Sequence, residues 1–142
     1  MLRFASVDEF VDVLGAATKW RRAAEAMRRA DRTLPEVTRS IGDSLTYRLT
    51  SAPDLPVLTG HRRYLELRHV MEGRAIVEVA PNEVLEPAGP YDDLSDSQTF
   101  IGGGVLHELR AGDTVVVGVD EAIRDLAVEG HVIVLRVTVE EH

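Results

Sequence analysis

Two kinds of hydrophobic spacing divide the chain near residue 40. Before that point apolar positions recur at helical intervals. Ser6-Val7-Asp8-Glu9 has the Ser-x-x-Glu form of a capping box, whose polar side chains satisfy amides left open at a helix start. Phe10, Val11, Val13 and Leu14 follow, and Gly15 marks a stop. A second helix is predicted over Thr18 to Ala30, with Trp20, Ala23, Ala24 and Met27 on one side. Pro35 ends any continuation, because proline lacks the amide a helix interior needs.

From Ile41 onward, short runs of Val, Leu, Ile, Thr and Tyr alternate with Gly, Pro, Asn and Asp, the pattern of an all-β barrel or sandwich. Strands are predicted at Ser44–Thr50, Val57–Val70, Arg74–Ala80, Gln98–Ile101, Val105–Leu109, Thr114–Val119 and His131–Val139. Glu72-Gly73 and Ala111-Gly112-Asp113 read as tight turns, Gly102-Gly103-Gly104 as a turn between strands, and Glu86–Asp96 as a loop. No linker or repeat interrupts the chain. Residues 1–142 therefore read as one domain, with a helical part (1–40) packed on a β-barrel (41–142).

Composition narrows the classes. A chain of 142 residues buries enough surface to fold without staples, and the lack of cysteine removes disulfides, thiolate metal sites and cysteine nucleophiles. The net charge of −8 disfavours nucleic acid, whose binding relies on cations displacing counterions. The amino terminus has neither signal- nor transit-peptide character and no apolar run is long enough to span a bilayer, so a cytoplasmic protein that does not engage membranes is expected. Lys19, Arg21, Arg22, Arg28 and Arg29, with Glu25 among them, read as a solvated helix face.

The densest run of ionisable groups is Thr59-Gly60-His61-Arg62-Arg63-Tyr64-Leu65-Glu66-Leu67-Arg68-His69-Val70-Met71-Glu72-Gly73. On a strand, Glu66, Arg68 and Val70 share one face and Leu65, Leu67, His69 and Met71 the other. Alternation alone does not say which face meets a core. If Glu66 and Arg68 face a cavity, Glu66 is a candidate general base, and Arg68 a bidentate clamp for carboxylate or phosphate. An Arg68 neighbour also lowers the basicity of Glu66 and favours binding over proton abstraction. His61 is a candidate base or ligand that titrates near neutrality. His107, His131 and His142 lack the spacing of a metal motif.

The run His61-Arg62-Arg63-Tyr64-Leu65-Glu66-Leu67 followed by Val70-Met71-Glu72-Gly73 resembles the signature of the YhcH/YjgK/YiaL proteins, a cupin-like family that includes the small subunit of evolved β-galactosidase. Tyr91-Asp92-Asp93 with Asp96, Leu109-Arg110-Ala111-Gly112-Asp113, Asp120-Glu121-Ala122 and Val132–Val137 resemble later family motifs in the same order. The resemblance implies a mainly β, cupin-type double-stranded β-helix (a jelly-roll barrel) and a pocket divalent metal, zinc-like in its ligands. It also implies a role in sugar catabolism. Thr59 and Ile123 stand where metal ligands are expected, so His61 is retained and Glu66 is a lengthened substitute.

The expected function is that of a cupin-type enzyme acting on a sugar or sugar-like metabolite by isomerase- or anomerase-like proton transfer. Glu66 and His61 would be catalytic, with Arg68, Tyr91, Asp92 and Arg136 binding the ligand. Arg136 matches a lysine of the family's last strand. Two alternatives stand beside it. One is a metal-free small-ligand-binding or regulatory module. The other is a barrel recruited to bind or cyclise a more apolar metabolite. A homodimer is the expected assembly.

Overall fold

The computed structural model describes residues 1–30, 38–41 and 45–140; Pro35, Ser44 and His142 lie outside the described residues. The chain opens with strand β1 (Leu2–Phe4) and helix α1 (Val7–Leu14). Ser6 sits in extended backbone and its Oγ accepts from the Glu9 amide at 3.1 Å, while Glu9 Oε2 accepts from the Ala5 amide at 3.3 Å. The expected cap therefore forms, with its return bond one residue earlier than in the ideal box. Helix α2 (Thr18–Arg29) buries the expected Ala23, Ala24 and Met27 and also Ala26, while Trp20 packs half-buried against the same core. Lys19 departs from the expected solvated face. It is buried, and its Nζ donates to the carbonyls of Thr138 (3.2 Å) and Glu140 (3.3 Å).

Strands β2 (Arg39–Ile41), β3 (Leu45–Thr50), β4 (Thr59–Gly60), β5 (Tyr64–Pro81), β6 (Glu86–Pro87), β7 (Gln98–Ile101), β8 (Val105–Arg110), β9 (Thr114–Val117) and β10 (Glu121–Thr138) follow. All pairings are antiparallel. The long strands β5 and β10 run together along their whole lengths, and each belongs to two sheets. The first half of β5 and the second half of β10 sit in the order β2-β3-β10-β5-β9-β1. Their other halves sit in the order β8-β5-β10-β4-β7-β6. Met71 and Leu126 are unpaired bulge residues, at two register shifts along this ladder. Bulges bend a strand and sharpen its twist.

This continuity corrects two expectations. Glu72-Gly73 is not a hairpin turn but part of β5, so Arg74–Ala80 is the same strand as Tyr64–Val70. Asp120-Glu121-Ala122 leads into β10, which starts ten residues before the predicted His131. The local signals were real: glycine breaks the pleat, but here the chain bends without reversing.

The two faces of the first sheet pack differently. Leu45, Leu49, Leu67, Ile133, Leu135 and Val137 meet Phe10, Ala23 and Met27 of the helices. The opposite face meets the second sheet, where Val70, Val115, Val117 and Val132 pack on Ala75, Val77, Val79 and Ile123. Burial of these aliphatic groups is the main stabilising term, at roughly 25 cal/mol per Å² of apolar surface. Among the described residues no helix is long and apolar enough to cross a membrane.

Candidate functional site

Strand periodicity places Glu66, Arg68 and Val70 on the face between the sheets, because Leu65 and Leu67 are committed to the helices. Pairing extends the polar face sideways. Thr46, Arg136 and Glu66 stand opposite one another across β3, β10 and β5, and Arg48, Val134 and Arg68 form the next row. Glu66 is 2% exposed and Arg68 1%. The space between the sheets is thus divided, with an aliphatic floor around Val70 and Val77 and a charged end around Glu66.

Arg68 is the hub of that end. Its Nε and Nη2 grip Asp125 side-on at 3.0 and 2.8 Å, and Nη1 donates to Glu66 Oε1 at 2.5 Å and to the Leu67 carbonyl at 3.0 Å. Asp125 belongs to β10, and its Oδ2 also accepts from the Leu55 amide at 2.9 Å. The Asp125 amide in turn donates to the Leu55 carbonyl at 2.8 Å, so the segment between β3 and β4 is tied to this cluster. That segment brings in Asp54, which pairs with Arg48 and accepts from Arg136 Nη2 at 2.7 Å. Arg136 Nε donates to Glu66 Oε2 at 3.0 Å.

Burial opposes charge on Glu66, but Arg68, His61 and Arg136 together outweigh it and hold the carboxyl well below its usual range. Burial likewise works against charged Arg68, and Asp125 and Glu66 push its pKa further up. Both groups are ionised at any ordinary pH.

His61 follows β4 and is 9% exposed. Its Nδ1 lies 2.5 Å from the Asp96 carbonyl, an acceptor only, so Nδ1 carries a proton. Nε2 lies 2.8 Å from Glu66 Oε2, yet out of line for a straight hydrogen bond. A ring with an acceptor beside each nitrogen favours the imidazolium. Burial pulls the His61 pKa down, but Glu66 and the Asp96 carbonyl prevail and raise it.

Asp96, at a positive φ of 49°, organises the approach to His61. Its carboxylate accepts from the amides of Arg62 (2.9 Å) and Arg63 (3.0 Å) and from the Tyr91 hydroxyl. Tyr91 also lies under the Arg62 guanidinium, 3.9 Å from its ring centre. Asp92 is exposed, and its Oδ1 accepts from the Leu94 amide at 3.0 Å, closing a turn.

Of the sequence-predicted residues, the structure brings His61, Glu66, Arg68 and Arg136 together. Tyr91 stands behind His61 in a separate cleft of about 40 Å³, and Asp92 lies apart from both. Asp54, Asp125 and Arg48 escaped sequence reasoning, and Asp96 entered it only through its place in the Tyr-Asp loop motif.

A cavity of about 470 Å³ opens beside this cluster, lined by His61, Arg136, Leu55 and the hydroxyl side chains of Thr46, Thr59, Tyr64, Ser95, Ser97 and Thr99. The Ser95 and Ser97 hydroxyls are 2.6 Å apart, and Thr59 Oγ1 donates to the Val57 carbonyl at 2.8 Å.

The donor set does not fit the divalent metal that the family resemblance implied. Thr59 and Ile123, the two replaced ligand positions, are direct cross-strand partners, so that wall offers a spent hydroxyl and an alkyl group. Glu66 is already neutralised by two guanidinium groups. Among the described residues, no group of three or more His, Cys, Asp or Glu is placed to hold a metal ion.

No family model matches the chain. Similar solved structures include a cupin protein from Bacteroides fragilis (TM-score 0.48, 13% identity), where the alignment covers 75% of this chain and 80% of that one. Another is the hydroquinone 1,2-dioxygenase PnpCD in complex with Cd2+ and 4-hydroxybenzonitrile (TM-score 0.48, 16% identity, 96% of this chain and 87% of that one). A third is a hydroquinone 1,2-dioxygenase from a Sphingomonas species with 4-hydroxybenzoate bound (TM-score 0.48, 15% identity, 89% and 74%). These are likenesses only, and the fold is read from the strand order itself. On that strand order the chain is a mainly β, antiparallel protein built around the paired long strands β5 and β10.

Proposed function

We propose that this protein is a metal-independent barrel that binds a small polyhydroxylated, sugar-like ligand in the cavity beside His61 and Arg136. The observation that carries this reading is the lining: six hydroxyl-bearing side chains surround a space of about 470 Å³, within the range of small-molecule sites. Hydroxyl groups both donate and accept, which suits a ligand that does the same at every carbon. Arg136 adds a cation at the cavity wall for its most electron-rich oxygens.

Calorimetric or ligand-detected NMR titration with a panel of neutral monosaccharides, sugar acids, sugar phosphates and apolar aromatics tests this. At least one hydroxylated compound is expected to bind, about tenfold more weakly to Ser97→Ala and Thr99→Val variants of unchanged melting temperature. Binding confined to the apolar probes would overturn the reading, and so would a panel with no binder.

A second reading, an isomerase- or anomerase-like enzyme, is favoured by one feature. His61 and Glu66 form an acid and base in contact, and His61 lies at the cavity wall. In that case the His61 ring has to turn its Nε2–H from Glu66 to the ligand's ring oxygen, and a water in the cavity takes the proton of the anomeric hydroxyl. The low basicity of Glu66 argues against its taking that proton itself. Exchange NMR of anomer interconversion on any sugar that binds decides between the two. Acceleration lost in His61→Gln would establish catalysis.

A further inference from the structure

We infer that the ligand of the cavity is a sugar acid whose carboxylate is held by the Arg136 guanidinium. The inference deepens the cavity reading above and rests on it. Its basis is the one-sided charge of the wall. Arg136 lines the space with a permanent positive charge, and no Asp or Glu stands among the lining side chains. The acids that pair with Arg136 lie outside that wall. Glu66 Oε2 accepts from Nε at 3.0 Å and Asp54 Oδ2 from Nη2 at 2.7 Å, with the Arg136 side chain itself 33% exposed. Each acid is also shared, Glu66 with Arg68 and Asp54 with Arg48, so neither gives its whole charge to Arg136.

A second observation points the same way. Among the described residues Nη1 has no hydrogen-bond partner, and it carries two N–H groups. A guanidinium clamped at its other two nitrogens has already given up its freedom on folding, so binding through Nη1 costs little order. An ionised acceptor there gains a Coulomb attraction that a neutral hydroxyl lacks. One guanidinium suits one negative charge. A phosphate ester carries about −1.5 to −2 at neutral pH, and the wall offers no lysine or second arginine to meet the remainder. His61 cannot supply it, because an acceptor already lies beside each ring nitrogen. Arg136 is accordingly the specificity-determining residue, and the hydroxyl side chains meet the rest of the sugar.

The test is calorimetric titration of the full chain at neutral pH with hexuronic acids, the hexoses of the same configuration and the corresponding hexose phosphates. A hexuronate is expected to bind at least about tenfold more tightly than its hexose, and more tightly than the phosphate. Arg136→Gln should erase that preference. Thr46 lines the cavity directly across β3 and β10 from Arg136, so Thr46→Asp sets a competing carboxylate beside an intact guanidinium and should erase it as well, even if Arg136→Gln does not fold. The readout is a ratio within one protein, which a general loosening of the wall would leave unchanged. A hexose that binds as tightly as its acid, a phosphate that binds more tightly, or a preference that survives these variants overturns the inference and leaves the cavity reading standing. No binding by any of the three classes overturns both.

Discussion

Gly73 and Gly130 face each other across β5 and β10, both with positive φ (78° and 91°), where the strand pair passes from one sheet to the other. A Cβ on Gly73 would stand 1.9 Å from the Glu129 carbonyl oxygen, and one on Gly130 2.4 Å from that of Glu72. Each alanine substitution is expected to destabilise the protein by about 2–4 kcal/mol, because backbone strain and a backbone clash combine. Urea denaturation measures this. A cost no larger than that of a surface substitution would show that the bend does not depend on these glycines.

Arg68 and its acids behave as one unit, so their substitutions should not add. Arg68→Met, which removes the cation paired with buried Asp125 and Glu66, is expected to cost about 3–5 kcal/mol. Combined with Glu66→Gln it should cost less than the sum of the two single changes. Strict additivity in a double-mutant cycle would contradict the shared burial described above.

His69 predicts an acid-sensitive step. It faces the helices, its Nδ1 is 2.8 Å from Thr114 Oγ1, and burial pushes its pKa down to about 4. The unfolded chain takes up this proton near pH 6.5 and the native protein only near 4, so stability falls as pH drops between those values. The loss approaches about 3 kcal/mol by pH 4. His69→Asn, measured by denaturation across pH 4–7, should flatten much of that slope. An unchanged slope would assign the acid sensitivity elsewhere.

His61 should show the opposite sign. Its folded pKa is raised, so its contribution is complete below the unfolded value of 6.5 and is lost as pH rises through the folded value. Ring-proton NMR of Glu66→Gln should show His61 titrating at lower pH than in wild type, since its carboxylate partner has become neutral. A His61 pKa that is the same in both proteins would detach the imidazole from Glu66.

Several elements were legible from local pattern alone. Ser6 and Glu9 marked the start of α1, Thr18 to Ala30 traced α2, and Gln98–Ile101 matched β7. The errors fell at glycines. Gly73 was read as a reversal, yet its meaning depends on Gly130, a partner 57 positions away that no local window contains. Asp54 and Asp125 were missed for the same reason. Each is an unremarkable acid in its own segment and gains a role only through the register that carries Arg68 and Arg136 to it.

Sequence by itself determined that β5 has two chemically distinct faces, Leu65 and Leu67 on one and Glu66 and Arg68 on the other, because side chains on a strand alternate. It also determined that helices with one apolar side were available to cover one of them. Only the tertiary structure decided that the helices take the leucine face and the second sheet encloses the charged one. Alternation is symmetric between inside and outside, and the choice lies with distant groups that neutralise buried charge. Asp125 and Arg136 supply that compensation, and they reach Arg68 and Glu66 only when β10 has paired with β5.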